Sequence, residues 1–107
     1  MDDNSEFLRR RVTELRLQKK VSELQMSHDL GKSDGYIHQI TSGRIKPSMD
    51  NFFEICEYFT VTPAEFWDRE NLYPHQIREL VDCLKRLPPE TVQAFITLAN
   101  YIPPVKG

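Results

Sequence analysis

An all-α fold, five short helices followed by a C-terminal helical hairpin, is predicted from three observations in the 107-residue chain. Apolar residues recur at three- and four-residue spacing along nearly its whole length, the period that gathers them on one face of a helix. Residues suited to capping helix starts, Ser22, Ser33, Ser48 and Thr62, stand in front of several of those stripes. Gly31 and Gly43 close two of them, because glycine takes the left-handed backbone of a helix end without a Cβ penalty. The pattern divides into a body over 5–70 and the hairpin over 74–103.

The first helix, over 5–20, carries Leu8, Val12 and Leu15 at i, i+4 and i+7. Arg9, Arg10, Arg11 and Arg16 lie mostly off that stripe, where they serve either as a solvated surface or as phosphate contacts. Ser22 opens the second helix, and Gln25 three residues later completes a capping box whose hydroxyl and amide satisfy unpaired N-terminal backbone donors. Met26 and Leu30 give this helix its buried face, and Gly31 turns the chain. A third helix is expected over 33–42, N-capped by Ser33 and closed by Gly43.

Pro47 and Ser48 open a fourth helix in which Phe52, Ile55, Cys56 and Phe59 share a face. These aromatics read as core, since stacking on bases needs a basic groove and Asp50, Glu54 and Glu57 lie among them. Thr62, Pro63 and Glu65 form another capping box, with proline at the first helical position, before Phe66 and Trp67. In the hairpin, Pro74 starts a stripe of Ile77, Leu80, Val81, Leu84 and Leu87. Pro89 starts another of Val92, Phe95, Ile96, Ala99 and Ile102.

Composition narrows the function classes. Hydrophobic content of 39% and charged content of 28% belong to a soluble globular protein. No apolar run approaches the roughly 18 residues of a membrane span, and the N-terminal MDDNSEFLRRR is unlike a signal peptide, so a cytoplasmic protein without membrane contact is expected. Cys56 and Cys83 read as reduced thiols in such a setting. His28, His38 and His75 lack partners at metal-ligand spacing, and no catalytic triad, metal set or phosphate loop can be assembled. Neither an enzyme nor a cofactor is therefore predicted. The net charge of −2 hides an asymmetry, because residues 1–46 hold nine Lys or Arg against seven Asp or Glu while 47–107 hold five against nine. A locally basic face is compatible with an acidic total.

The run SELQMSHDLGKSDGYIHQITSGRIKPS resembles the helix-turn-helix family of Cro and lambda repressor, also called the XRE type. The features that carry the likeness are Leu30-Gly31 before the third helix, Ile37 and Ile40 within it, Ser42-Gly43, Pro47-Ser48, and Thr62-Pro63-Ala64-Glu65-Phe66. The resemblance covers about residues 8–68. It implies a bacterial or phage DNA-binding transcriptional regulator, dimeric, whose third helices enter successive major grooves of a near-palindromic duplex site.

Residues turn by about 100° each along a helix, so with Ile37 and Ile40 facing inward the opposite side carries Gly35, His38, Gln39 and Ser42, with Asp34 and Tyr36 at its margins. Gln39 suits a bidentate contact to adenine, and His38 donates to guanine when its tautomer permits. Gly35 removes bulk where backbone and DNA approach. Tyr36 is ambiguous, able to pack its ring against the core margin and present its hydroxyl to a phosphate. Gly35, Tyr36, His38 and Gln39 are thus the expected base readers. Ser22, Lys32, Ser33, Ser42, Arg44 and Lys46, at helix starts and loops, are the expected phosphate contacts.

Two residues depart from the family pattern. Glu23 stands where glutamine is usual and Asp34 where a neutral or basic residue is common, which brings two carboxylates toward a polyanion. Asp34 is either a favourable charge in the first turn of the third helix or an acceptor for a cytosine amino group. The hairpin is expected to dimerise, its alternative being packing onto its own chain. The competing function is a protein-binding module, of antitoxin or antirepressor type, that keeps the fold and grips a protein partner through the hairpin.

Overall fold

The computed structural model describes residues 3–104. Among them run seven helices and no strand: α1 (Asp3–Lys19), α2 (Glu23–Asp29), α3 (Tyr36–Thr41), α4 (Met49–Phe59), α5 (Pro63–Trp67), α6 (Pro74–Leu84) and α7 (Pro89–Asn100). None is long and apolar enough to cross a membrane. The chain divides into two compact units between Leu72 and Tyr73.

The first unit is built on one core. Val12 and Leu15 of α1, Met26 of α2, Ile37 and Ile40 of α3, the Phe52, Ile55, Cys56 and Phe59 face of α4, Val61, and Phe66 of α5 form a continuous buried cluster. Each large apolar side chain removed from water in this way contributes about 1.5–3 kcal/mol before entropy is counted. An aromatic group closes one side. Phe52 meets Phe66 edge to face at 5.0 Å between ring centres, and Phe7 stacks on Trp67 at 5.6 Å.

The ends of α1 and α4 repeat one device. Lys20 and Thr60 adopt left-handed backbone at φ 61° and 56°, and the next amides, of Val21 and Val61, reach back to the carbonyls of Arg16 and Cys56. Those bonds satisfy carbonyls that a helix end leaves bare. Ser48 accepts from the Asn51 amide at 3.1 Å to start α4. Thr62 and Glu65 complete both halves of the capping box that starts α5, at 3.0 and 2.8 Å.

Three expectations need correction. Arg11 is neither solvated nor available to a phosphate: it is fully buried. Its guanidinium donates to the carbonyls of Phe66 at 3.0 Å, Glu65 at 2.8 Å and Asn71 at 2.6 Å. A buried guanidinium is tolerable only with such partners, and these three fasten the end of α5 and the following turn to α1. At Ser22 only half of the expected box forms. Its hydroxyl accepts from the Gln25 amide at 2.9 Å, while the Gln25 side chain runs forward to Asp29 at 2.7 Å. The third correction concerns the start of α3, which begins at Tyr36 rather than at Ser33 and has Gly35 as its N-cap, without a side-chain cap bond from either.

The second unit holds α6 and α7, each with proline in its first turn, where the missing N–H costs nothing. The stripes foreseen in the sequence lie in these helices except for their last members, Leu87 and Ile102, which fall beyond the helix ends, and α7 buries no residue. Ile77, Leu80, Val81, Phe95, Ile96 and Leu98 are all substantially exposed.

Candidate nucleic-acid interface

The pair α2 and α3 is held in register by one small polar residue. Ser27, fully buried, donates to the Glu23 carbonyl at 2.8 Å and accepts from the Ile37 amide at 3.1 Å. The amide it satisfies is one of the orphan donors at the start of α3. The start of α3 is thus fastened from the preceding helix, ten residues away in sequence, at an amide beyond the two that a Ser33 cap would reach. The turn between the helices closes on Gly31, φ 71°, whose amide and that of Lys32 bond back to the carbonyls of His28 and Ser27.

With Ile37 and Ile40 buried, α3 turns Gly35, His38, Gln39 and Ser42 to solvent. This is the face that helical geometry gives once the two isoleucines are placed. Gly35 has φ −93° and nothing within 4 Å of where a Cβ would stand, so its missing side chain leaves open the outer surface. The Gln39 side chain is exposed and, among the described residues, has no side-chain hydrogen bond, so its donor and acceptor stay open. Ser42 leans its hydroxyl on the Gln39 carbonyl at 3.3 Å. Ser33, Arg44 and Lys46 are exposed around the two ends of α3, and Ser22 is exposed at the start of α2. Gly43, φ 82°, lets the chain leave α3 directly under the Arg9 guanidinium, which would stand 3.4 Å from a Cβ there.

Two members of the expected set are turned to internal use. Tyr36 packs its ring against the core and its Oη is buried, so its hydroxyl is not presented to DNA; burial raises its phenol above the ordinary value. Lys32 places Nζ 3.1 Å from Asn51 Oδ1, 3.6 Å from Glu54 Oε1 and 5.8 Å from the centre of the Tyr36 ring. Its ammonium therefore ties the turn to α4 instead of standing free for a phosphate.

Both carboxylates that depart from the family pattern are paired with histidines. Glu23 Oε1 accepts from His38 Nδ1 at 3.1 Å and its Oε2 accepts from the Thr41 hydroxyl. The Thr41 bond is the foremost reason its carboxyl is held below the usual range, with His38 adding to it and partial burial opposing. Asp34 accepts from His28 Nε2 at 2.6 Å across the turn. It lies ahead of α3, outside the first turn where it was expected. Asp29 is held low by the Tyr58 hydroxyl, which donates to it at 2.7 Å. The sequence pointed to Glu23 and Asp34 as negative charges near DNA. Their partners went unseen, because Glu23 and His38 are fifteen residues apart and meet only through the crossing of two helices.

A family model described as helix-turn-helix matches residues 12–66, from the middle of α1 through Phe66 of α5. No curated protein and no solved structure matches the chain.

Proposed function

Because the chain belongs to the helix-turn-helix family of the Cro and lambda-repressor type, we propose that this DNA-binding regulator reads a specific duplex sequence with the exposed face of α3. The observation that carries the reading is the pairing of roles along that helix, Ile37 and Ile40 inward against His38 and Gln39 outward. A major groove admits a helix, and an unpartnered amide such as that of Gln39 contributes about 1–3 kcal/mol of discrimination through paired contacts to adenine. Gly35 allows close approach, and Ser22, Ser33, Ser42, Arg44 and Lys46 surround the face as positioning contacts to phosphate.

The regulator acts as a homodimer, with α6 and α7 supplying the contact. In support, these two helices expose Ile77, Leu80, Val81, Phe95 and Ile96, and a second copy would cover such faces while setting two α3 helices one helical turn apart, about 34–36 Å. A cytoplasmic location follows from this role.

Selection of random duplexes by the purified protein across a salt series tests the reading. The expected result is a two-fold motif whose retention falls steeply with salt, as phosphate neutralisation requires, and whose preference at particular positions is lost in Gln39→Ala. Retention no better than that of a neutral control protein overturns it. That result favours a protein-binding module gripping its partner through α6 and α7, and such an interface would show little salt response.

A further inference from the structure

His38 stands at the centre of the exposed α3 face with its side chain 63% open to solvent, and Glu23 is tucked behind it at 31%. An ionised carboxylate only accepts hydrogen bonds, and Glu23 is held in that form by Thr41, His38 and the field of Arg16 from α1. The bond of 3.1 Å between Glu23 Oε1 and His38 Nδ1 therefore requires the proton to sit on Nδ1. In a neutral imidazole one nitrogen donates and the other accepts, so the remaining nitrogen, Nε2 on the far side of the ring, carries a lone pair.

We propose that Glu23 is a specificity-determining positioning residue, which fixes His38 in the tautomer whose outward Nε2 accepts a hydrogen bond, so that His38 selects a base amino group. The groups that fit are adenine N6 and cytosine N4; the O6 and N7 of guanine, both acceptors, are rejected. The inference rests on the DNA reading above and departs from the expectation that His38 donates to guanine. It also gives the carboxylate a use. Glu23 repels phosphate over every sequence, but it sets the sense of one base contact.

Two measurements on the full chain at pH 8 test the proposal. Long-range proton–nitrogen correlation spectra of the 15N-labelled protein report which ring nitrogen of His38 is protonated. The native protein is expected to show Nδ1–H, as is Glu23→Gln, whose amide oxygen still accepts; Glu23→Ala is expected to revert to Nε2–H. Random-duplex selection then compares base preference at the one position that His38→Ala also alters. Glu23→Ala should exchange an amino-bearing base for a keto-bearing one on the same strand, reversing a preference of about tenfold, while Glu23→Gln keeps the native choice.

Both variants lose the same negative charge and gain affinity for all sequences alike, so a change confined to one position and to Glu23→Ala separates tautomer from charge. An Nε2–H ring in the native protein overturns the proposal, and that spectrum needs no variant to fold. Identical base preference in the native protein and Glu23→Ala overturns it too. If the native protein selects no motif, the DNA reading fails and takes the base assignment with it, while the spectrum reports the tautomer separately.

Discussion

Val12 in α1 and Phe95 in α7 hold the same rank in their sequence patterns, each the centre of an apolar stripe at helical spacing. In the folded chain Val12 is 0% exposed and Phe95 is 45% exposed. The first unit has five helices, and its core gathers inward side chains from all of them, α1 to α5, in one cluster. The second has two helices, and two helices can cover only one side of each other. The contrast teaches that an apolar stripe states a need for burial without naming the surface that meets it. The second unit leaves that need open over residues as large as Phe95 and Ile96.

The contrast can be broken or sharpened by substitution, starting with the largest effect. Arg11→Met should destabilise the first unit by about 3–5 kcal/mol, because the three carbonyls of Phe66, Glu65 and Asn71 lose the buried guanidinium that donates to them. Urea unfolding followed by the emission of Trp67, the sole tryptophan, measures it. A loss under about 1 kcal/mol would show that the guanidinium is a passenger, since that is the size of one ordinary hydrogen bond. Ser27→Ala should cost about 1–3 kcal/mol by leaving the Ile37 amide buried without an acceptor. The same substitution should weaken DNA retention as α3 loses its fixed start, an effect read from the duplex selection.

In the proposed dimer, Phe95→Asp should leave the stability of the first unit unchanged to within about 0.5 kcal/mol, as for other exposed positions, yet shift the molar mass measured by light scattering from dimer to monomer. An unchanged mass would mean that α7 is not the contact between copies. The smallest effect is chemical. Burial pushes the Cys56 thiol up to about 11, whereas Cys83 is exposed. A maleimide should therefore label Cys83 at once and Cys56 only at the rate of unfolding, and equal labelling would argue that the first core opens far more often than its packing allows.

Much of the candidate site was legible because it depends on local rules. Two buried isoleucines three residues apart decide which way His38 and Gln39 face, and glycines at positive φ mark both turns. The internal contacts of Tyr36 and Lys32 were not legible, for both are polar residues with long apolar bodies. Such side chains can point a polar end either way, and the choice belongs to α4, which supplies Asn51 and Glu54. Ser33 was misjudged for a related reason. Its sequence position suits a cap, but α3 starts two residues later than that cap requires, with Gly35 as its N-cap and its Ile37 amide bonded to Ser27 of α2.

What the sequence by itself determined was therefore periodic and short-ranged: the all-α class, the order of helices, the capping of α4 and α5, and the outward face of α3. Each follows from residues within about one helical turn of one another. The tertiary structure alone decided which polar groups are inside and what they hold. Arg11 clamps the end of α5 across 55 residues, Ser27 fastens the start of α3 across ten, and Glu23 orients His38 across fifteen. The physical reason is that a buried donor or acceptor must find a partner once water is gone, and the partner is whichever group the packing of helices brings within about 3 Å.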